Sequence, residues 1–174
     1  IFSSTHIKES HMKKNDVLIK ITGTQLADGD SDVVELLTTG SFYKKDNSYF
    51  ILYDESEATG FDGSRTVLRF DEARRRVTMT RSGASQSQLI IEEGRRHQCN
   101  YDTGYGSLII GVSCDHMSSS LTEEGGDIDF GYSLDVNSAL TSENKVHVVV
   151  GGGPGHGAGI RMDKGAGDYD QYGI

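Results

Sequence analysis

The sequence predicts an all-β fold, a single up-and-down antiparallel barrel of about eight to ten strands. Apolar and polar residues alternate with period two through most of the middle of the chain, and β-branched and aromatic residues fill many of the apolar positions. Turn signals rich in glycine separate these segments at short intervals, and no amphipathic segment has the length of an ordinary helix. Short, evenly spaced strands of this kind are typical of a meandering barrel.

The first strands show the alternation directly. Val17, Ile19 and Ile21 share one face of the first strand. In the third strand, residues 49–53, both faces are partly apolar, because Tyr49, Ile51 and Tyr53 alternate with Phe50 and Leu52. These strands are therefore expected to lie against a core.

The later strands continue the pattern. Val77 and Met79 share a face with Arg81. In the clearest strand, acids and a serine face solvent opposite an apolar face formed by Ile128, Phe130, Tyr132, Leu134 and Val136. Val146, Val148 and Val150 end the series. A helix-like stretch of about one turn is expected at residues 115–121.

The ends of the chain differ from the middle and define the expected domain organisation. A barrel domain is predicted for residues 12–150, because residues 1–11 have no period and are interpreted as an N-terminal extension. Residues 151–174 hold 9 of the 22 glycines and the single proline, Pro154. A segment with so little apolar surface is expected to be a flexible tail.

Composition bounds the partners and the compartment. The formal net charge of −9 and a pI near 5.0 argue against nucleic acid and anionic membranes as partners, since both require a basic face. The chain has only two cysteines and no apolar run as long as a signal h-region or a membrane span, so a cytoplasmic location is expected. A homodimer is left open.

Polar side chains at alternating positions predict a site inside or at the rim of the barrel. In the stretch RRHQCNYDTGYGSLIIG, residues 95–111, His97, Tyr101 and Thr103 fall on one strand face together with Cys99. Arg81 follows Val77 and Met79 inward, and Tyr132 adds a hydroxyl. The predicted ligand-binding residues are therefore Arg81, His97, Tyr101, Thr103 and Tyr132, which suit a small apolar or anionic ligand.

Three functional interpretations remain open at this point. The first is a binding barrel whose polar end meets the ligand. The second is a solid barrel that acts as a protein-interaction module, in which Arg81 pairs with Glu57 or another internal acid and His97 is an ordinary core histidine. The third is an enzyme that uses His97 as acid or base beside Tyr101. A cavity of several hundred cubic ångströms would favour the first or third over the second.

Motifs for cofactors and metals are not convincing. Asp28, Asp30 and Asp32 resemble the start of a calcium loop, but the glycine and the bidentate glutamate that such a loop needs are missing. His97 and Cys99 with Cys114 and His116 lack any established zinc spacing. The chain has no nucleophile elbow, no phosphate loop and no dinucleotide fingerprint. No cofactor and no metal are expected.

Four stretches together resemble a known family: VLIKITGTQ, DSDVVELLTTGSFYKKDNSYFILYDESEATG, VTMTRSGASQSQLIIEEGRRHQCNYDTGYGSLIIGVS and GGDIDFGYSLDVNSAL. The chain resembles the YwiB-like family of small bacterial proteins of unknown function, over roughly residues 13–150. The resemblance implies a calycin-like, lipocalin-type β-barrel whose interior can hold a small ligand, a bacterial origin and a cytoplasmic location. It implies no catalytic or binding residues.

Overall fold

The computed structural model describes residues 17–102 and 105–151 of the chain. Within these ranges, ten strands form one closed barrel, and a 3-10 helix at Glu57–Thr59 lies between the third and fourth strands. The strands are β1 Val17–Ala27, β2 Asp30–Lys45, β3 Ser48–Asp54, β4 Ser64–Asp71, β5 Arg76–Gly83, β6 Ser87–Glu92, β7 Arg96–Asp102, β8 Ser107–Ser119, β9 Gly126–Val136 and β10 Ala139–Gly151.

The topology is an antiparallel meander in which each strand pairs with its neighbours in the chain, and β1 pairs with β10 to close the barrel. Two-residue turns with positive φ join β1 to β2 at Asp28 and Gly29, and β9 to β10 at Asn137 and Ser138. Such turns match the right-handed twist of paired strands. The predicted all-β, up-and-down barrel is confirmed, with ten strands.

The in-and-out alternation of the strands is also confirmed. In β9, Ile128 is 2% exposed and Phe130 is fully buried, whereas the side chain of the intervening Asp129 is 41% exposed. The same phase in β5 buries Val77 and turns Met79 and Arg81 toward the interior. In β5 and β9 a single period-two count therefore decides which side chains form the core.

The two halves of the barrel interior differ. We call the end that carries the β2–β3, β4–β5, β6–β7 and β8–β9 turns the packed end, and the opposite end the cavity end. Toward the packed end the interior side chains are almost wholly buried, and they include Ile19, Ile51, Phe70, Val77, Ile91, Val112, Ile128, Phe130, Val148 and Val150. Toward the cavity end several inward side chains are only partly buried, among them Ile21, Met79, Tyr101, Leu134 and Val146. The core therefore fills one end and leaves space at the other.

One predicted element is wrong. The helix-like stretch expected at residues 115–121 is mostly the continuation of strand β8, which runs to Ser119. The pairing of β8 with β9 shifts register between Cys114 and His116, so Asp115 and His116 are both exposed although they are adjacent. A bulge of this kind interrupts the period-two pattern and removes the strand signal.

The seam between β6 and β7 is weakly paired. Its register is defined by one residue pair, Ser87 with Tyr101, whereas β5 and β6 share six such pairs. At the middle of the seam the backbone N–H of Ile90 donates to the Sγ of Cys99 at 3.4 Å. The predicted N-terminal extension and almost all of the predicted tail lie outside the described residues.

No helix within the described ranges combines the length and apolar character that a membrane crossing requires.

Candidate functional site

A cavity of about 510 Å³ occupies the cavity end of the barrel and opens to solvent there. Eight of the ten strands contribute to its wall, together with the β3–β4 connection. Its apolar lining includes Ile21, Leu36, Met79, Leu89, Leu134 and Val146. The volume falls within the range of about 300–1,000 Å³ that is usual for small-molecule sites.

A buried ion pair forms the polar wall of this cavity. Arg81 donates to Oε1 of Glu55 from Nε at 3.4 Å and from a terminal guanidinium nitrogen at 3.3 Å. The side chains are 11% and 2% exposed, respectively, so solvent screens the pair only weakly. The two opposite charges are therefore held together by the barrel interior, and each is needed to stabilise the other.

Two neighbours fix the geometry of the pair. The hydroxyl of Thr66 on β4 donates to the same Oε1 of Glu55, and Thr66 is fully buried. Phe61, in the β3–β4 connection, places its ring centroid 3.5 Å from Cζ of Arg81. A guanidinium that stacks on an aromatic face while bonded to a carboxylate loses little freedom when a ligand arrives.

Tyrosine hydroxyls add neutral hydrogen-bonding groups to the cavity wall. Burial raises the pKa of Tyr132 to about 12, and the neighbouring Tyr101 adds to that rise. Burial also raises the pKa of Tyr53 strongly, with a smaller contribution from the negative charge of Glu55. Both phenols therefore remain protonated at any physiological pH and can donate a hydrogen bond.

We expect Tyr53 and Tyr132 to ionise after the other tyrosines when the protein is titrated with alkali. A raised pKa of the folded state stabilises the protein below the ordinary value of 10.0, and that stability is lost as the pH rises through about 12. Near-ultraviolet tyrosinate absorbance follows the titration, and Tyr132→Phe should remove part of the late step. A single transition near the ordinary pKa would contradict the burial of these phenols.

The structure brings three of the predicted site residues together. Arg81, Tyr101 and Tyr132 line the same cavity. His97 does not line it, because it lies near the packed end, where its Nε2 is 3.0 Å from Oε2 of Glu92. It precedes Tyr101 by four residues in β7, about 13 Å along a strand. Thr103 lies outside the described residues.

The position of His97 corrects the grouping expected from the sequence. Period-two counting places His97 and Tyr101 on one strand face, but it gives no information about which end of the barrel each one reaches. An acid–base role for His97 beside Tyr101 therefore has no geometric basis in this structure, since Glu92 is its polar partner.

Tyr53, Glu55 and Phe61 line the cavity but were not predicted as site residues, and neither was Thr66, which bonds to Glu55. A signal for Glu55 is present in the sequence. Glu55 lies two positions after Tyr53 and therefore continues the alternating series Tyr49, Ile51 and Tyr53 on the same strand face. The expected alternative partner, Glu57, lies in the 3-10 helix and is exposed, so the internal acid that pairs with Arg81 is Glu55.

The residues considered as zinc ligands are dispersed. Cys99 lies in the β6–β7 seam, His97 pairs with Glu92, and His116 pairs with Asp129 on the outer surface. Within the described ranges, no group of three or more histidine, cysteine, aspartate or glutamate side chains is arranged to hold a metal ion.

Comparison with known proteins shows the family. The model of a domain of unknown function, DUF1934, matches residues 19–148. The chain belongs to this family. The uncharacterized beta-barrel protein YwiB of Bacillus subtilis (strain 168) is 29% identical to this DUF1934 protein over 128 residues, which cover 69% of the chain and 87% of that protein.

A solved structure agrees with the fold of this DUF1934 protein. The crystal structure of ywiB protein from Bacillus subtilis matches with a TM-score of 0.65 at 25% sequence identity, over 80% of the present chain and 93% of that one. The predicted resemblance to the YwiB-like family is confirmed, and the bacterial relative agrees with the expected bacterial origin. The finer assignment as a calycin-type barrel stays a prediction.

Proposed function

We propose that this DUF1934 protein binds a small, mainly apolar molecule in the cavity, with the polar end of the ligand at Arg81, Tyr101 and Tyr132. The observation that carries the proposal is a cavity of about 510 Å³ inside the barrel, with apolar walls and a buried ion pair on one side. Space of this size supports a ligand-binding barrel over a solid interaction module.

The composition of the wall supports the same interpretation. Apolar side chains from β1, β2, β5, β6, β9 and β10 provide the non-directional part of binding. Buried polar groups on one side can orient the ligand, because each has to keep a hydrogen-bond partner when water is displaced. Arg81 and the phenols of Tyr53 and Tyr132 are already fixed by packing, which lowers the ordering cost on binding.

Native mass spectrometry of protein purified from its own source organism tests the proposal. A retained ligand appears as added mass that is lost on denaturation. Two negative results together would contradict the proposed function. The purified protein would carry no added mass, and the NMR resonances of the residues that line the cavity would not shift when a panel of apolar small molecules is added.

Filling the cavity should abolish ligand retention. Met79 lines the cavity, whereas its neighbour Thr80 has the opposite strand phase and does not line it. We expect Met79→Trp to lose the added mass and Thr80→Trp to keep it. Both should remain folded, Met79→Trp because the cavity has room for the larger side chain and Thr80→Trp because Thr80 points away from the interior. If Met79→Trp retains as much ligand as wild type, the ligand binds elsewhere.

The cytoplasmic location is part of this proposal and is supported by two free cysteines and an acidic composition. Fractionation of source cells, followed by detection of the protein in the soluble cytoplasmic fraction or outside it, decides the point.

A further inference from the structure

We propose that the ligand has an uncharged polar head that both donates and accepts hydrogen bonds, as a primary carboxamide does, and that Glu55 makes the site discriminate against anions. This inference rests on the proposed ligand-binding function and adds the chemical class of the ligand. It follows from the charge balance of the cavity, the hydrogen bonds of the ion pair and the environment of the tyrosines.

The charges of the cavity cancel. Among the described residues, four charged side chains line it: Arg81, Glu55, Asp32 and Lys145. Asp32 and Lys145 are exposed, so solvent screens them. Of these four described residues, only Arg81 and Glu55 have side chains shielded from solvent, and they neutralise each other at 3.3 Å. A ligand therefore meets a polar but electrically neutral wall.

An anionic head would be unfavourable at this wall. A carboxylate that binds Arg81 brings a second negative charge beside Glu55, whose side chain is only 2% exposed. The site would then carry a net negative charge with little solvent to screen it. The neighbouring phenols show that this wall disfavours negative charge, because burial keeps Tyr53 and Tyr132 in the neutral, protonated form. An anion is thus disfavoured by the ion pair and by the wall around it.

An uncharged amide-like head fits the groups that remain. Among the described residues, the hydrogen bonds donated to Glu55 by Thr66 and Arg81 all reach Oε1. The second oxygen, Oε2, keeps its capacity to accept an N–H from a ligand. The hydroxyls of Tyr101 and Tyr132, and the Arg81 hydrogens that do not face Glu55, can donate to a ligand carbonyl. Because the same wall offers hydrogen-bond donors and an acceptor, it suits a ligand head group that contains both a donor and an acceptor.

A matched pair of probes tests this inference. Octanamide and octanoate share a chain length and differ in the head, and octanoate is ionised at pH values about three units above an ordinary carboxyl pKa. Titrations followed by backbone amide shifts in NMR spectra should show octanamide binding at the cavity at least about tenfold more tightly than octanoate. Octanoate binding as tightly as octanamide overturns the inference and leaves the binding function standing, whereas no binding of either overturns both.

Removing the negative charge should reverse the selectivity. Glu55→Gln leaves Arg81 as a buried cation, so octanoate is expected to bind this variant more tightly than octanamide. Asp54→Asn is the matched control, because Asp54 is the adjacent acid, is 72% exposed and pairs with Arg65 on the outer face. If Glu55→Gln folds poorly, thermal melts remain informative, because octanoate should raise the melting temperature of this variant and not that of wild type. Unchanged octanoate affinity and no such stabilisation would overturn the assigned role of Glu55.

Discussion

Replacing Phe130 with aspartate is expected to prevent the barrel from folding. Phe130 is fully buried on β9, and its ring centroid is 6.2 Å from that of Tyr132. An unpaired carboxylate at this position costs several kcal/mol, against a total stability of roughly 5–15 kcal/mol for a domain of this kind. Circular dichroism and urea unfolding measure the loss.

Two positions on the same strand serve as controls. Asp129→Asn should change the urea midpoint little, because its side chain is 41% exposed and bonds to His116 at the surface. Leu134→Asp is expected to fall between the two, since Leu134 lines the solvent-accessible cavity and a carboxylate there stays partly hydrated. Equal destabilisation by the Phe130 and Asp129 changes would contradict the assigned faces of β9.

Removing Glu55 should produce the second large effect on stability. Glu55→Ala leaves the guanidinium of Arg81, 11% exposed, without its carboxylate. Breaking one side of a buried ion pair typically costs about 3–5 kcal/mol, because the remaining charge is neither solvated nor paired. Urea melts of wild type and variant at neutral pH give the difference directly.

The companion variants separate pairing from packing. Asp54→Ala breaks the ion pair between Asp54 and Arg65, whose side chains are 72% and 60% exposed, respectively. The loss of this exposed pair should lower the free energy of unfolding by about 1 kcal/mol or less. In the double variant Glu55→Gln with Arg81→Met both charges are gone, so stability should return most of the way to that of wild type. If Glu55→Ala unfolds at the same urea concentration as Asp54→Ala, the buried ion pair between Glu55 and Arg81 makes no larger contribution to the stability of the barrel than the exposed pair does.

The fold was predictable from local pattern because a meander requires little long-range information. Each strand pairs with the next, so period-two alternation and turn residues are enough to place Phe130 inside and Asp129 outside. The pattern fails where pairing slips. Between Cys114 and His116 a register shift exposes two successive residues, and the strand around them was expected to be helix-like.

The candidate site was predictable in part for the same reason. Alternation identifies the face of a side chain, so it turns Arg81 inward with Val77 and Met79. It gives no height along the barrel, and His97 and Tyr101 consequently reach different ends although they share a strand. Height follows from the register between neighbouring strands, which the pattern of one strand does not contain. For β7 the register is defined by seven residue pairs with β8 and one with β6.

The contact between β1 and β10 has a consequence for how the chain matures during synthesis. Every other strand pair joins neighbours in the sequence and can form as soon as both strands exist. β1 instead presents an unpaired edge until β10 is made, more than a hundred residues later. Exposed strand edges are templates for aggregation. The nascent chain is therefore prone to aggregate until β10, with Val146, Val148 and Val150, has been synthesised and pairs with β1. Nascent chains truncated before β10 should therefore depend on chaperones far more than the finished barrel does.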